Sequence, residues 1–172
     1  MSRPRAFTLI ELLVVVSIMA LLIGLLLPVL GSARAAGRGS VCLSNIRQLV
    51  IANTAYATDH DDRFVPGAAD FMSNLDRWHG GRDNFSQPFD PRRGPLWDYL
   101  RPAETRACPE FVAERDFTAG FEAGNGGYGY NLDYVGRDTL DAVEALTTRL
   151  GAQAHWFANP TETIVFADAA FA

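Results

Sequence analysis

An uninterrupted apolar run near the N-terminus constrains the fold of this chain more than any other feature. From Phe7 to Leu30 the sequence reads FTLIELLVVVSIMALLIGLLLPVL, and Glu11 is its only ionisable side chain. At about 1.5 Å per residue, a helix of this length crosses a bilayer hydrocarbon core of about 30 Å. The run therefore predicts a membrane-spanning helix over 7–30 rather than a helix buried in a soluble core.

Glu11 stands near the start of the apolar run, where a lone carboxylate is unfavourable. An unpaired charge in hydrocarbon costs at least about 2.5 kcal/mol. We therefore expect Glu11 to need a partner that its own helix does not offer. A cleaved secretory signal is disfavoured, because the run is too long and contains this acidic residue. The alternative is an ordinary signal anchor, whose Glu11 side chain reaches up to the membrane surface.

The segment RAFTLIELLVVVSIMALLIGLLLP resembles the N-terminal signature of type IV prepilins and type II secretion pseudopilins. The resemblance implies that a membrane prepilin peptidase cuts between Ala6 and Phe7 and methylates the new N-terminus at Phe7. It also implies that Glu11 pairs with the N-terminal ammonium of an adjacent subunit, and that Pro28 is the helix-disturbing proline of such helices. The chain departs from the family at Ala6, where Gly is usual, and this bears on the efficiency of cleavage.

The remainder of the chain resembles, more weakly, a pilin-like subgroup that has many paralogues. The resemblance rests on the segments CLSNIRQL, YATDHDDRFVP, GYGYN and NPTETIVFAD, and on the Cys-Pro pair at Cys108. As a set, these segments extend the pilin-like interpretation from the apolar run to the rest of the chain.

The apolar run, the composition after it and the resemblance together imply four segments. We predict a leader peptide over 1–6, a transmembrane and assembly helix over 7–30, an amphipathic continuation of the helix over 31–57, and a globular periplasmic head over 58–172. Apolar residues at helical spacing between Cys42 and Ala57 give the continuation one buried face. The predicted fold is α+β and pilin-like: a long N-terminal helix packed on a small antiparallel sheet.

The two cysteines, Cys42 and Cys108, belong to no CxxC or Cys/His cluster with zinc spacing. If the head is exported to an oxidising compartment, they can form one disulfide, which would stabilise the fold by roughly 3–5 kcal/mol. Two unpaired, small apolar side chains are an equally acceptable interpretation of the same residues.

The charge of the chain argues against nucleic acid as the default partner. The formal net charge is −5, and all 15 basic residues are arginine. The absence of lysine excludes Schiff-base and P-loop lysine chemistry. One stretch interleaves cations with aromatic rings, an arrangement that can stack single-stranded nucleic acid. Its members are Arg77, Trp78, Arg82, Phe85, Phe89, Arg92, Arg93 and Trp97. The same aromatic residues are equally expected in a protein core.

An acidic cluster follows the predicted helix. Asp59, Asp61 and Asp62 offer oxygen ligands of the kind that calcium prefers, and some pseudopilins bind calcium in the head. The spacing lacks the EF-hand pattern, so a solvated helix end is the favoured interpretation. The three histidines are scattered and have no nucleophile beside them. We therefore predict no catalytic residue, no resident metal and no cofactor.

These features together predict a non-enzymatic structural subunit of a type IV pilus-like or type II secretion pseudopilus filament. Its expected place is the bacterial inner membrane, with a single span and a periplasmic head, and afterwards the filament. The expected partners are prepilin peptidase, copies of itself and related pilins, an inner-membrane assembly platform and membrane lipid. The alternative is a non-polymerising, single-span envelope protein that displays a binding or DNA-uptake domain. The N-terminal helix is common to pili, pseudopili and DNA-uptake fibres and does not distinguish them.

Overall fold

The computed structural model describes residues 8–68, 74–100, 107–109, 127–132, 135–137 and 150–168. Within these residues, one long helix is followed by short strands and by two single-turn 3-10 helices. In chain order the elements are α1 (Leu9–Asp59), β1 (Asp76–Arg77), β2 (Gly80–Gly81), a 3-10 helix (Pro91–Arg93), β3 (Tyr128–Tyr130), a 3-10 helix (Ala154–Trp156) and β4 (Phe166–Asp168). The chain divides into two compact units, Met1–Arg38 and Gly39–Ala172.

The first unit contains the apolar part of α1. Its large apolar side chains from Leu9 to Leu30 are all exposed, from 42% at Val15 to 81% at Leu9. A helix that is apolar on all sides is stable only in apolar surroundings. Among the described residues, α1 is the one helix long and apolar enough to cross a membrane. The predicted transmembrane helix is therefore present in the fold.

Pro28 lies inside α1 without ending it. Because proline has no N–H, the carbonyl of Gly24 lacks the hydrogen bond that position 28 would normally give it. Ser32 Oγ donates to the carbonyl of Pro28 itself at 3.4 Å. The helix is thus continuous but locally weaker around Gly24, where a Cβ atom would meet nothing within 4 Å.

In the second unit, α1 is amphipathic and buries one face. The buried side chains recur at intervals of three or four residues, with one adjacent pair: Cys42, Asn45, Leu49, Ala52, Asn53 and Ala57. The opposite face is exposed, as at Leu43 and Ile51. The buried face joins a core whose other members include Val65, Trp78, Leu96, Tyr128 and Phe166. The predicted α+β class, a long helix with a small antiparallel sheet, is confirmed.

The strands form two small antiparallel pairs in the described part of the chain. β1 pairs with β2, with Arg77 opposite Gly80, and β3 pairs with β4, with Tyr130 opposite Phe166. Glycine is needed in β2, because a Cβ on Gly80 would lie 2.8 Å from the carbonyl oxygen of Asp90, a residue outside the two strands. Strands of this length are marginal by themselves, so they depend on packing against α1.

Inside the second unit, a buried hydrogen-bond network joins α1 to the segment at Val65 and to β3. Asn53 Oδ1 accepts from the Val65 N–H at 2.9 Å, and Asn53 Nδ2 donates to the Tyr130 hydroxyl at 3.3 Å. The Tyr130 hydroxyl in turn donates to the Val65 carbonyl at 2.7 Å. Burial raises the pKa of Tyr130 far above its usual value, so the hydroxyl keeps the proton that it donates. The three residues therefore satisfy one another without water.

This network predicts the effect of truncating its central residue. The variant Asn53→Ala leaves the buried Val65 N–H without its acceptor and removes a donor to Tyr130, so we expect the free energy of unfolding to fall by about 2–3 kcal/mol. Thr54→Ala is the matched control, because Thr54 is exposed on the next position of the same helix. Urea denaturation of the full chain in detergent measures both. Equal midpoints for the two variants would contradict the role given to Asn53.

Candidate functional site

The N-terminal end of α1 brings together the two polar side chains that open the apolar helix. Thr8 immediately precedes the first helical residue, Leu9. The Thr8 N–H and the Thr8 hydroxyl both donate to Glu11 Oε2, each at 2.8 Å. The Glu11 N–H donates in return to Thr8 Oγ1 at 3.3 Å. These reciprocal bonds form a capping box, which satisfies backbone donors that the first turn of a helix otherwise leaves open.

Thr8 gives Glu11 hydrogen-bond donors at the start of its own helix, because a threonine at the N-cap lies within reach of a glutamate three residues later. Thr8 carries no charge, so the charged partner expected for Glu11 stays a prediction. Thr8 is also the site residue that sequence reasoning missed. Its signal was present in the letters TLIE, which match the pattern of a capping box but were interpreted only as part of the apolar run.

The two oxygens of the Glu11 carboxylate differ in the hydrogen bonds that they accept. Both bonds from Thr8 end on Oε2. Within the described residues, which begin at Thr8, no hydrogen bond to Oε1 occurs. A carboxylate accepts at both oxygens and has about four lone-pair sites. The capping box therefore leaves Glu11 able to accept a further donor, such as an ammonium group, without releasing Thr8.

Of the other residues predicted for processing and assembly, the structure describes Pro28 but not Ala6 or Phe7. The predicted cleavage and methylation positions, Ala6 and Phe7, lie outside the described residues. Pro28 lies inside α1 and is remote in sequence from the capping box. The roles of these residues stay predictions.

Cys42 and Cys108 form a disulfide within the second unit. Their Cα atoms are 5.0 Å apart, and the bridge joins positions separated by 66 residues. Both residues belong to the core and are 3% and 1% exposed. Beside the bridge, Asn45 Nδ2 donates to the carbonyl of Ala107 at 3.1 Å. The disulfide and this hydrogen bond hold residues 107–108 against α1.

The acidic cluster forms the C-terminal end of α1. The Asp62 N–H donates to the Ala57 carbonyl at 2.9 Å, and Asp61 has a φ of 52°, as in a Schellman cap. Asp59 Oδ2 accepts a hydrogen bond from the Tyr99 hydroxyl at 3.0 Å. Within the described ranges, no three His, Cys, Asp or Glu side chains are grouped so that they could hold a metal ion. Calcium binding by Asp59, Asp61 and Asp62 was the disfavoured alternative to a solvated helix end, and it stays untested.

Two of the four arginines in the aromatic stretch are buried. Arg77 and Arg82 are each 3% exposed. The guanidinium carbon of Arg82 lies 4.3 Å from the ring centroid of Phe89 and 5.0 Å from that of Phe85. Its Nε donates to the carbonyl of Asn74 at 3.0 Å. The two rings thus attract the cation within the protein.

The other two arginines of that stretch form ion pairs at the surface. Arg92 Nη2 lies 2.9 Å from Asp90 Oδ2, and Arg93 Nη1 lies 2.7 Å from Asp83 Oδ1. The side-chain hydrogen bonds from Arg92, followed by its backbone N–H, hold the pKa of Asp90 below its usual value. Arg77 Nη1 donates to the carbonyl of Asp76 at 3.2 Å, so all four guanidinium groups interact with groups of their own chain. Packing accounts for the two buried arginines, and local ion pairs account for the two exposed ones.

The capping box predicts a difference between two conservative variants of Thr8. Thr8→Val keeps the shape of the side chain but removes the hydroxyl, and loss of an N-cap costs about 1 kcal/mol. Thr8→Ser keeps the hydroxyl and is the matched control. Amide hydrogen exchange over residues 9–12 in detergent should be faster in Thr8→Val and unchanged in Thr8→Ser. Equal exchange in the two variants would show that the hydroxyl does not cap the helix.

The helix end at Asp61 predicts a stabilising substitution. Because a left-handed backbone at a residue other than glycine costs roughly 1 kcal/mol, Asp61→Gly should raise the melting temperature of the full chain. The substitution also removes a carboxylate from the negative end of the helix dipole. Thr58→Gly, placed within the last turn of α1, should lower the melting temperature. A lower melting temperature for Asp61→Gly would contradict this account of the cap.

Comparison with known proteins identifies one segment of the chain. Residues 1–27 match a family model described as the prokaryotic N-terminal methylation motif. Neither the curated proteins nor the solved structures gave a match to the chain. The matched segment contains the predicted cleavage position, the capping box and most of the apolar run. Residues 1–27 are therefore a prepilin-type N-terminal motif, and the chain that carries them has the features of a type IV pilin-like or pseudopilin-like precursor.

Proposed function

We propose that this chain is the precursor of a structural subunit of a type IV pilus-like or type II secretion pseudopilus filament. The proposal depends on one observation: two further features lie in the segment that matches the prepilin-type motif. One is the Glu11 carboxylate, which Thr8 binds through Oε2 only, and the other is the start of a fully exposed apolar helix. The motif relates the chain to processed pilins. The exposed helix and the carboxylate are the parts that a filament would use.

Maturation in this proposal begins at the leader. Prepilin peptidase cuts between Ala6 and Phe7 and methylates the new amino group of Phe7. Thr8 then becomes the second residue of the mature chain, and its N–H and hydroxyl remain in place to cap α1. The cut therefore creates a cationic N-terminus next to an intact capping box.

Assembly in this proposal uses the oxygen of Glu11 that Thr8 leaves open. Glu11 Oε1 accepts the Phe7 ammonium of a neighbouring copy, while Oε2 keeps its bonds to Thr8. The pair neutralises two charges in surroundings of low dielectric constant, where lone charges are costly. Because the pair forms at one position along each helix, it also fixes the axial offset between neighbours.

The exposed apolar side chains of α1 allow the helix to lie first in lipid and then among other apolar helices. In the inner membrane they contact lipid, and in the filament they pack against the same helices of other copies and of related pilins. The weakened turn between Gly24 and Pro28 allows α1 to unwind locally as the subunit leaves the bilayer. The second unit is the periplasmic head, and an inner-membrane assembly platform is the remaining partner. The role of this chain is structural rather than catalytic.

The charge of Glu11 provides the test of this proposal. Glu11→Gln keeps the hydrogen bonds from Thr8 but removes the negative charge, and Glu11→Ala removes both. In native cells we expect both variants to insert in the membrane and to lose the leader. We also expect their amount in sheared filaments to fall at least tenfold, because the ammonium of the neighbour loses its counter-charge. Immunoblotting of sheared and membrane fractions measures both pools.

The matched control is Glu162→Ala, which removes an exposed carboxylate from the second unit. It should enter filaments as the parent chain does. Normal incorporation of Glu11→Ala would overturn the proposal and would favour the alternative of a single-span envelope protein that does not polymerise.

A further inference from the structure

Two arginines, Arg34 and Arg38, follow the apolar part of α1. We propose that they bind the phosphate group of an anionic lipid in the periplasmic leaflet of the inner membrane, and so fix the depth of α1 in the bilayer. This inference rests on the proposed function in one respect, because it needs α1 to span that membrane with the second unit outside. It adds a ligand and a binding site beyond residue 27, where the match to the prepilin-type motif ends.

The distance from the apolar run places both arginines at the level of the lipid headgroups. α1 continues without a break from the apolar run through both residues. At about 1.5 Å per residue, the Cα atoms of Arg34 and Arg38 lie about 6 Å and about 12 Å beyond that of Leu30 along the helix axis. The headgroup layer on each side of the hydrocarbon core is about 5–7 Å thick. The backbone of Arg34 therefore lies within this layer, and that of Arg38 lies just outside it.

The geometry of the helix directs both side chains back toward the membrane. In an α-helix each Cα–Cβ bond tilts toward the N-terminus, which in α1 is the membrane-spanning end. A long arginine side chain can therefore place its guanidinium group nearer to the bilayer than its own Cα atom. Both side chains are exposed. The other residues from 31 to 37 are all glycine, alanine or serine, so a headgroup can approach the helix closely.

α1 itself supplies no carboxylate near the two arginines. The helix has no acidic residue between Glu11 and Asp59, and within the described residues no hydrogen bond or ion pair involves Arg34. Arg34 and Arg38 are four positions apart, so they are neighbours on one helix face, where like charges repel. A phosphate group bound between them removes this repulsion. A planar guanidinium group is also well suited to phosphate, which it can bind through two parallel hydrogen bonds.

The surroundings of the two arginines favour a lipid over a dissolved anion. The formal net charge of the chain is −5, so its overall field does not attract anions from solution. The apolar side chains just before Arg34 are exposed, with Leu27 at 64% and Leu30 at 50%. A lipid molecule can contact these side chains with its acyl chains and the arginines with its phosphate. A dissolved phosphate ion can use only the second of these contacts.

The lipid contact also determines where the other end of α1 lies. At the same rise per residue, Glu11 lies about 35 Å from Arg34 along α1, close to the thickness of about 30 Å of the hydrocarbon core. When Arg34 is held among the periplasmic headgroups, Glu11 therefore lies near the cytoplasmic boundary of the hydrocarbon. The two arginines thus set the level in the membrane at which the carboxylate meets the ammonium group of a neighbouring copy.

The test compares lipid binding by full chains that differ only at these arginines. Each chain is expressed with prepilin peptidase and placed in nanodiscs of equal parts of phosphatidylglycerol and phosphatidylcholine. Native mass spectrometry then counts the lipids that stay bound after release. We expect the ratio of bound phosphatidylglycerol to phosphatidylcholine to fall about fivefold in Arg34→Gln and in Arg38→Gln, and about 25-fold in the double variant, because each basic residue contributes separately at an anionic surface.

The matched control is Arg47→Gln, which removes the same charge from an exposed position about 26 Å further along α1 than Leu30. It should keep the lipid ratio of the parent chain. An unchanged ratio in the double glutamine variant, or an equal loss in Arg47→Gln, would overturn the proposal. Loss of the preference in phosphate buffer, but not in chloride buffer of the same ionic strength, would also overturn it, because the site would then take a dissolved anion.

A second double variant, Arg34→Lys with Arg38→Lys, keeps both charges. Its lipid ratio should stay within about twofold of that of the parent chain, because lysine and arginine contribute similarly at an anionic surface. A loss as large as that of the double glutamine variant would overturn the proposal.

Carbonate extraction of cell membranes separates a failure of this inference from a failure of the proposed function. A parent chain that carbonate removes would contradict the membrane-spanning helix on which both depend. A parent chain that resists carbonate but shows no preference for phosphatidylglycerol would overturn the lipid site alone.

Discussion

The apolar surface of α1 between Leu9 and Leu30 is the constraint on which the rest of the structure depends. No part of the described chain covers this surface, and in water its exposure would be strongly unfavourable. A helix with this surface must reside in lipid or among other apolar helices. The polar groups at its start must then satisfy one another. The capping box of Thr8 and Glu11 meets this requirement, and both of its bonds to the carboxylate end on Oε2. The proposed intersubunit pair would use Oε1, to which the described residues donate no hydrogen bond.

The second unit depends on the same helix in a different way. Its described strands are two or three residues long and pair only two at a time, so their own hydrogen bonds contribute little stability. α1 supplies the rest through its buried face. Asn53 binds the segment at Val65 and the strand at Tyr130, whereas Cys42 and Asn45 bind residues 107–108. One helix therefore organises both units, with apolar side chains in the first and with specific polar and covalent ties in the second.

The sequence was sufficient to predict the features that depend on the composition of one segment or on the spacing of its apolar residues. The membrane-length helix follows from the apolar run, and the buried face after Gly39 follows from the helical spacing of residues such as Leu49. The charged partner expected for Glu11 stays a prediction, whereas its hydrogen bonds with Thr8 were missed. Thr8 was overlooked because a capping box consists of only two letters at a fixed interval within an otherwise apolar segment. The segmentation at 30/31 and 57/58 stays a prediction, although α1 itself ends at Asp59.

The features that the sequence left open depend on contacts between distant residues. No local pattern pairs Cys42 with Cys108 across 66 residues, and none shows that Arg82 lies between two aromatic rings rather than at the surface. The same arginine and aromatic letters fit a nucleic-acid surface and a protein core. Burial assigns Arg77, Trp78, Arg82 and Phe89 to the core, whereas Phe85, Arg92 and Arg93 are exposed. The small sheet was predictable as a class. The pairing of β3 with β4 joins residues 128–130 with 166–168, and no local pattern predicts a pairing across that separation.

The most direct test of the central claim is the intact mass and N-terminal sequence of the chain extracted from membranes, expressed with and without prepilin peptidase. The account predicts a mature chain that begins at N-methylated Phe7 when the peptidase is present, and an unprocessed chain when it is absent. A chain that retains residues 1–6 under both conditions would contradict the account. It would leave the apolar helix as a simple membrane anchor.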